Sequence, residues 1–431
     1  MPLLVIALAL FVTNPQSTDT TAKAQAVVTA LQAKEFVSIE VQFTDRMRAA
    51  LPAGQLERIW SAVAAQAGAL KKCDAPIVAA SGVMQVARVP CDFERARVDV
   101  QISFNPAGQI GGLAFRPAAA PYALPSYATP SAYGESDVTI GKGEWALPGT
   151  LTMPAGAGPF PAIVLVQGSG PNDRDETIGP NKPFEDLALG LASRGIAVIR
   201  YDKRTKVYGA KMASVGSMTV REEVVDDALL ALALARTLPR IDPARTFVLG
   251  HSLGGMLVPR IAAADPTLAG AIVMAGAARS LDQAMLEQTK YVLGSDGTIT
   301  PDDQARIDDA AKLVATVAAL KPEDAASGTL ISGAPASYWL DLRGYDPPVA
   351  AKAVKVRMLI LQGERDYQVT MEEFGRWKAA LSDRPDVTFH SYPVLNHLFL
   401  PGVGKSLPAE YNTASHVADE VIRDIADWVK R

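Results

Sequence analysis

The chain has 431 residues, enough for two domains, and 48% of them are hydrophobic, enough to form large cores. Its net charge of −4 is not accompanied by any block of basic residues, which argues against nucleic-acid binding. The sequence contains no His and Cys cluster with metal-ligand spacing, no Gly-x-Gly-x-x-Gly motif and no phosphate-binding loop. We therefore predict neither a metal nor a cofactor.

The first segment is a short apolar run at residues 3–12. Ten residues are too few to span a bilayer but are typical of the core of a signal peptide. No Lys or Arg precedes the run and no clear Ala-x-Ala site follows, so the signal is weak or the true start lies upstream. We predict a signal peptide at residues 1–17, with residues 13–21 as a polar loop. A periplasmic or secreted bacterial protein would follow, without stable membrane insertion after signal removal.

Residues 20–116 are predicted to form a small α+β domain. Apolar residues recur with helical spacing between positions 20 and 70, and four extended segments follow at 77–84, 85–93, 95–104 and 109–115. Helices followed by an antiparallel meander are typical of the α+β class. The domain contains no catalytic constellation, so we expect a structural role. The alternatives are substrate gating, an interaction surface, or a homodimer formed through this domain.

Cys73 and Cys91 are the only cysteines, and both lie in this small domain. Behind a signal peptide, such a pair predicts a disulfide, which would stabilise the domain by about 3 kcal/mol through the entropy of the unfolded chain. Two buried free thiols are the alternative.

Residues 117–133 are rich in Ala, Pro, Tyr and Ser and are predicted to be a linker. A second, larger domain is predicted from residue 134 to residue 431.

The most informative motif of the second domain is Gly250-His251-Ser252-Leu253-Gly254. An apolar strand enters it and an apolar helical pattern leaves it, which is the setting of a nucleophile elbow. Such a turn holds the serine in a strained conformation and exposes its hydroxyl. It also directs the Leu253 N–H, at the start of the helix, toward an oxygen above Ser252.

A serine becomes a nucleophile only when a base accepts its proton, and the chain has four histidines. His251 adjoins the serine, so its side chain should point away and pack within the elbow. His390 lies in an alternating strand pattern, and His416 is predicted to begin the last helix as a solvated residue. His397 lies in a loop between the last strand and that helix, which reaches the carboxyl edge of the sheet. We predict that His397 is the base.

The third member of the triad should be a carboxylate that orients the histidine. A continuous apolar run ends at Gly363, as expected for a buried parallel strand, and both Glu364 and Asp366 follow it. We predict Asp366 as the acid and expect Glu364 to pair with Arg365 or with solvent.

A long connection at about residues 278–350 separates the strand that follows the elbow from the acid strand. Connections of this length over an α/β sheet usually form a cap. We predict that Tyr338 and Trp339 lie near the acyl pocket; the alternative is that they only pack the cap onto the sheet.

The order Ser252, Asp366, His397 resembles that of the α/β-hydrolases, and the resemblance covers about residues 134–431. Within that fold the chain is similar to bacterial esterases of the serine aminopeptidase-like branch and to relatives of dienelactone hydrolase. The resemblance implies a mostly parallel eight-stranded sheet with helices on both faces and a helical cap. The small domain resembles the cystatin-like domain of unknown function that often precedes such hydrolases.

The same resemblance assigns the oxyanion loop to the segment after the strand Ala162–Val166. Gln167 stands where the family often has histidine, which leaves the backbone donors unaffected. The backbone N–H of Ser169 would then be the second oxyanion donor beside that of Leu253.

Together these residues predict a serine hydrolase that cleaves small-molecule carboxylic esters. Aminopeptidase and acyl-thioesterase activity are the enzymatic alternatives. An aminopeptidase would need a cap carboxylate to bind the substrate amine, and Asp282, Glu287 and Asp341 are the candidates. A catalytically inert binding protein with a hydrolase fold is the non-enzymatic alternative.

Overall fold

The computed structural model describes residues 15–81, 84–117, 122–213, 215 and 217–431. The chain divides into two compact units, residues 1–120 and 121–431. The apolar run predicted as a signal-peptide core lies outside the described residues. Among the helices that are described, none is both long enough and apolar enough to cross a bilayer.

The first unit contains four helices followed by an antiparallel sheet. The elements are α1 (Pro15–Ala33), α2 (Phe36–Glu40), α3 (Asp45–Ala50), α4 (Gln55–Ala67), β1 (Leu70–Cys73), β2 (Ile77–Ser81), β3 (Met84–Phe93), β4 (Arg97–Phe104) and β5 (Ile110–Pro117). The strands are ordered β1-β3-β4-β5, and β2 also pairs with β3. The predicted α+β class of this unit is confirmed.

Two elements of this unit differ from the sequence prediction. Residues 15–21 of the segment predicted as a loop belong to α1, which begins at Pro15, a residue well suited to the first turn of a helix. Strand β1 was not predicted, because Leu70-Lys71-Lys72-Cys73 is short and half charged, as edge strands often are.

The core of the first unit lies between the helices and one face of the sheet. Trp60 of α4 is almost fully buried, and its ring packs edge-on against Phe93 at 5.8 Å and, tilted, against Phe115 at 5.5 Å. Aromatic packing of this kind adds to the free energy gained by burial alone.

Cys73 and Cys91 form a disulfide within this unit. They are direct partners in the antiparallel pairing of β1 with β3, with their Cα atoms 4.0 Å apart. The predicted pairing is therefore present in the structure, and it fastens the edge strand to the centre of the sheet.

The second unit alternates strands and helices. Its elements are β6 (Tyr133–Ile140), β7 (Leu147–Pro154), β8 (Phe160–Val166), α5 (Pro183–Ala192), β9 (Ala197–Tyr201), α6 (Arg204–Ala213), a π-helical turn (Arg221–Val225), α7 (Asp226–Ala235), β10 (Ile241–His251), α8 (Leu253–Ala264), β11 (Gly270–Met274), α9 (Leu281–Leu293), α10 (Pro301–Ala319), β12 (Leu330–Ile331), β13 (Ala334–Pro335), α11 (Ala336–Arg343), α12 (Pro347–Ala351), β14 (Met358–Gly363), α13 (Met371–Leu381), β15 (Val387–Tyr392) and α14 (Asp419–Lys430).

Eight of these strands form one sheet with the order β15-β14-β11-β10-β8-β9-β7-β6. The pairs from β15 to β9 are parallel, and only those that involve β6 or β7 are antiparallel. From β8 to β9 the chain moves toward one edge of the sheet, and after β9 each new strand is added toward the other edge. Right-handed crossovers therefore place α5 on one face of the sheet and α7, α8 and α13 on the other. The predicted mostly parallel eight-stranded sheet is confirmed.

The central strands are apolar along almost their whole length because both of their faces are covered. Every residue of β11 and of β14 is buried. The buried strands β10, β11 and β14 are parallel, so their carboxyl ends lie at the same edge of the sheet. This is the edge at which α/β sheets bind their ligands.

Residues of the predicted linker contact the second unit. The Tyr122 hydroxyl donates to Asp186 Oδ1 at 2.6 Å, and the Tyr127 hydroxyl donates to the Val417 carbonyl at 2.8 Å. From Tyr122 onward, the segment is therefore held against the rest of the second unit by hydrogen bonds.

We predict that the protein contains no free thiol. Unfolding without reductant followed by thiol titration should give about zero thiols per chain, and titration after reduction should give two. Reduction should also destabilise the first unit by about 3 kcal/mol. The Cys73→Ala/Cys91→Ala variant is the control, since reductant should not change its melting temperature. Two reactive thiols in the unreduced protein would contradict the prediction.

Candidate active site

Ser252 lies between the last residue of β10 and the first residue of α8. Its backbone has φ 55° and ψ −117°, a strained conformation for a residue other than glycine. Two glycines make the turn possible: a Cβ on Gly250 would lie 2.3 Å from the Gly254 carbonyl, and a Cβ on Gly254 would lie 2.2 Å from the Val166 carbonyl. The predicted elbow geometry, including the need for both glycines, is confirmed.

Asp366 and His397 are brought together by two loops at the carboxyl edge. His397 Nδ1 lies 2.6 Å from Asp366 Oδ2, and both side chains are buried. Asp366 Oδ1 accepts hydrogen bonds from the backbone N–H groups of Gln368 at 2.7 Å and Val369 at 3.0 Å, and Gln362 Nε2 donates to Oδ2 at 3.1 Å. The carboxylate is thus fixed from several sides, with one oxygen directed at the histidine.

Glu364, the rejected alternative for the acid, is exposed and accepts a hydrogen bond from the Ser391 hydroxyl at 2.8 Å. Of the two partners expected for Glu364, its exposure agrees with solvent, and the ion pair with Arg365 is not formed. Arg365 instead forms an ion pair with Glu410 and donates to the Gly404 carbonyl at 2.7 Å. A carboxylate from a distant segment competes for the arginine more effectively than its sequence neighbour does.

Two other histidines lie apart from this pair. His390 is in β15, with Nδ1 3.3 Å from Asp424. His416 was expected to begin the last helix as a solvated residue, but that helix begins at Asp419, and Nδ1 of His416 lies 3.0 Å from the buried Asp186. The Val417 N–H also donates to Asp186, which holds this segment outside the helix.

The segment predicted as the oxyanion loop passes directly beside Ser252. A Cβ on Gly168 would lie 3.0 Å from the Ser252 Cβ, closer than most Cβ contacts, so a side chain there would push the two segments apart. Ser169 and Leu253 both line the same cavity as Ser252. The two residues predicted to supply oxyanion donors therefore lie at the cavity that holds Ser252.

This cavity has a volume of about 580 Å³, within the range of small-molecule sites. Tyr338 and Trp339 line it, and so do Gln368 and Val369, whose backbones bind Asp366. Trp339 is also buried, and its Nε1 donates to the Ile331 carbonyl at 2.8 Å. Tyr338 and Trp339 therefore line the cavity, and they are also packed within the structure, so both of the roles considered for them have support.

The carboxylates considered for amine binding do not belong to this cavity. Asp282, Glu287 and Asp341 are absent from its described lining. Asp341 forms an ion pair with Arg260 at 2.9 Å, and Glu287 forms one with Lys290 at 3.0 Å. Across the described ranges, no group of three or more His, Cys, Asp or Glu side chains is placed to hold a metal ion.

A buried pair formed by Glu176 and His251 was not anticipated from the sequence. His251 Nε2 lies 2.9 Å from the His397 carbonyl oxygen, and its Nδ1 lies 3.0 Å from Glu176 Oε2. The other Glu176 oxygen accepts a 2.6 Å hydrogen bond from the Gly168 N–H. The pair thereby connects the loop that carries His397 with the loop beside Ser252.

Both ring nitrogens of His251 face acceptor oxygens, so the protonated ring suits the site best. Burial alone would lower the pKa of His251, but the Glu176 carboxylate outweighs it, and the pKa is raised. Arg174, two residues before Glu176, forms an ion pair with Asp202 at 3.1 Å. A glutamate that reaches the elbow instead could be recognised only once the fold placed the two segments side by side.

We predict that His251 stabilises the protein most at low pH. Because its folded pKa is raised above the ordinary value of 6.5, its contribution is complete below about pH 6.5 and is lost as the pH rises through the folded value. The melting temperature of His251→Gln should therefore fall furthest below that of the wild type in acid, and the gap should narrow at alkaline pH. His390→Gln, which changes a half-exposed side chain, should lower it less throughout. A gap that widens with pH would contradict the assignment.

Comparison with known proteins agrees with this architecture. A family model described as serine aminopeptidase, S33, matches residues 181–401, and a model of a domain of unknown function, DUF3887, matches residues 24–113. Esterase EstD of Thermotoga maritima is 37% identical over 400 residues, which cover 93% of this chain and 92% of that protein.

Among solved structures, proline iminopeptidase of Mycobacterium smegmatis is 19% identical with a TM-score of 0.44, and the match covers 68% of this chain and 98% of that one. A hyperthermophilic esterase of the archaeon Pyrobaculum calidifontis is 16% identical with a TM-score of 0.42, over 69% and 85% of the two chains. The S33 match contains Ser252, Asp366 and His397, and the EstD match extends over nearly the whole chain. The chain is therefore a hydrolase and belongs to the serine aminopeptidase S33 family of α/β-hydrolases, with a DUF3887 domain preceding the hydrolase domain.

Proposed function

We propose that this protein is a serine esterase that cleaves carboxylic esters through an acyl-enzyme intermediate. The observation that carries the proposal is the buried 2.6 Å contact between His397 Nδ1 and Asp366, whose loop lines the same cavity as the strained Ser252 through Gln368 and Val369. The similarity to Esterase EstD supports an ester as the substrate.

In the proposed acylation step, the Ser252 hydroxyl attacks the acyl carbon of the ester while His397 accepts its proton. Since Nδ1 of His397 is bound to Asp366, Nε2 is the nitrogen that serves as the base. Asp366 keeps the ring in the required tautomer and stabilises the imidazolium that forms. His397 then transfers the proton to the departing alkoxide.

The negative charge that develops on the carbonyl oxygen requires donors that are already in place. The backbone N–H groups of Leu253 and Ser169 are proposed for this role, with the Leu253 group aided by its position at the start of α8. In deacylation, His397 activates a water molecule, and the same donors stabilise the second tetrahedral intermediate.

Ester cleavage is favoured over aminopeptidase activity by the charges around the cavity. An aminopeptidase needs an acidic group for the substrate ammonium. Asp282, Glu287 and Asp341 do not belong to the described lining of the cavity, and Glu223, the carboxylate that does, forms an ion pair with Lys203 at 2.9 Å. Thioester cleavage would use the same machinery. A panel of matched esters, thioesters and aminoacyl amides separates these activities, and faster cleavage of the amides would move the protein to the aminopeptidase class.

The non-enzymatic alternative is a catalytically inert binding protein. A fluorophosphonate probe distinguishes it, because the probe labels only a serine that a neighbouring base activates.

We also propose that the protein works in the periplasm or outside the cell. The disulfide between Cys73 and Cys91 supports this, since disulfides persist in oxidising compartments. Fractionation of cells that express the full chain would test it, and recovery in the cytoplasm alone would contradict it.

We predict that Ser252→Ala and His397→Ala each reduce kcat by about 10⁴-fold or more, and that the double variant loses little beyond either one. The reason is that the two residues act in one step, so removing either abolishes it. Steady-state kinetics on a 4-nitrophenyl ester would measure the loss, and circular dichroism would check the fold. Retained labelling of Ser252→Ala by a fluorophosphonate would contradict the assignment.

For the acid, Asp366→Asn should reduce kcat by about 10³- to 10⁴-fold, because the amide favours the wrong histidine tautomer. Glu364→Gln is the matched control, two residues away in the same loop, and it should have little effect. The opposite result would transfer the role to Glu364.

Trp339 lines the cavity and Trp377 does not, although both are buried with Nε1 bound to a carbonyl oxygen at 2.8 Å. We predict that Trp339→Phe and Trp377→Phe both lower the melting temperature, but that only Trp339→Phe shifts the preferred acyl chain length upward. Kinetics on esters of increasing length would show the shift. Equal profiles for the two variants would make Trp339 a packing residue alone.

A further inference from the structure

A buried lysine, Lys203, lies at the carboxyl edge of the sheet beside the proposed oxyanion loop. It is 2% exposed and follows β9, the strand that pairs with β8. The parallel register pairs Val164 with Ile199, and the same offset continued four residues further brings Gly168 next to Lys203. The pairing of the two strands therefore places this lysine against the loop that follows β8.

The ammonium group of Lys203 binds the backbone of that loop. Its Nζ donates to the Gly168 carbonyl at 2.8 Å and lies 2.9 Å from Glu223 Oε1. Asn172 Nδ2 donates to the same carbonyl at 3.1 Å, and the backbone N–H of Lys203 donates to the Asn172 carbonyl at 3.1 Å. Burying an ammonium is costly, and Glu223 offsets that cost by supplying the opposite charge. The Gly168 carbonyl is therefore held by a cation whose charge is balanced within the protein.

The Gly168 carbonyl and the Ser169 N–H belong to one peptide unit. In a planar trans peptide, the C=O and the N–H point in opposite directions. Because the carbonyl oxygen is directed at Lys203, the Ser169 N–H is directed away from the lysine, and Ser169 lines the cavity that holds Ser252. Within the described part of the chain, this N–H donates to no protein acceptor, so it is open to a substrate oxygen.

The ammonium also makes this N–H a stronger donor. A cation at the oxygen of an amide withdraws electron density from the amide nitrogen, and hydrogen bonds in series polarise one another. A donor that is both oriented and polarised before the reaction stabilises a developing oxyanion without rearrangement.

We propose that Lys203 is a positioning residue for the oxyanion site, which orients and polarises the Gly168–Ser169 peptide so that the Ser169 N–H stabilises the oxyanion. Lys203 does not belong to the described lining of the cavity, so it acts through the peptide and not on the substrate. This inference rests on the proposed esterase function and adds a residue to its machinery.

The first test compares an ester with its thionoester, in which sulfur replaces the carbonyl oxygen. The substrates are 4-nitrophenyl butyrate and its thiono analogue, which require the same nucleophile and base. Because sulfur accepts hydrogen bonds only weakly, the thionoester gains little from the oxyanion donors. The variant is Lys203→Met, which removes the charge and keeps a long side chain. Lys206→Met, the same change at an exposed lysine three residues later, is the matched control.

We expect Lys203→Met to lower kcat for the oxygen ester by about 10- to 100-fold with little change in KM. This is less than the roughly 10²- to 10³-fold loss for removing a donor outright, because the N–H remains but is less well held. The thionoester should lose far less, so the ratio of kcat/KM for ester over thionoester should fall about tenfold or more. Lys206→Met should keep the wild-type ratio.

Equal losses on the two substrates would overturn the inference, since Lys203 would then support only the fold around the nucleophile and the base. Unchanged activity on both would overturn it as well. If the wild-type protein cleaved no ester, the proposed function itself would fail.

The second test allows for the buried carboxylate that Lys203→Met leaves unpaired, which is strongly destabilising. Lys203→Met/Glu223→Gln replaces both charges and is compared with Glu223→Gln alone, in which the ammonium can still bind the Gly168 carbonyl. The difference between these two variants isolates the contribution of Lys203. The ratio of kcat/KM for ester over thionoester should be about tenfold or more lower in the double variant. Equal ratios in the two variants would overturn the inference, and this comparison decides if Lys203→Met does not fold.

Discussion

The site depends on the close approach of three backbone segments around Ser252. The strand before it, the helix after it and the oxyanion loop beside it come nearer to one another than a Cβ would permit. Gly250, Gly254 and Gly168 make this approach possible, and the strain at Ser252 is held in place by the buried sheet on either side. With a side chain at any of these glycines, the nucleophile could not stand beside the proposed oxyanion donors.

The parallel sheet supplies the rest of the arrangement. Its strands β10 and β14 end at one edge, and the loops that follow β14 and β15 bring Asp366 and His397 to within 2.6 Å. Asp366 and His397, which are 31 positions apart, therefore meet without any long irregular connection. Only the insertion between β11 and β14 departs from this regular alternation, and it provides the aromatic side chains of the cavity.

Much of this was predictable because the relevant signals are local. The elbow is encoded in five consecutive residues, and the buried strands are continuous apolar runs. Asp366 was distinguished from Glu364 by spacing alone, and the structure shows Asp366 at the histidine and Glu364 at Ser391. The cysteines were predicted to pair because the chain has only two.

The missed features depend on partners that are distant in sequence. Arg365 binds Glu410 rather than its neighbour, and His416 is held outside the helix by a contact of its neighbour Val417 with Asp186. The pairings of Glu176 with His251 and of Glu223 with Lys203 also join separate segments. Charged residues in loops have no periodicity that would indicate their partners, so only the folded arrangement reveals them.

Glu176 has a consequence for how this catalytic machinery can change over time. One carboxylate binds both the Gly168 N–H and His251, whose other nitrogen contacts the loop of the base. The elements that should receive the proton and stabilise the oxyanion thus share a single buried anchor. Replacing the elbow pentapeptide with one that lacks histidine at position 251 would leave this anchor without its histidine partner. The three loops that carry Gly168, His251 and His397 must therefore be altered together.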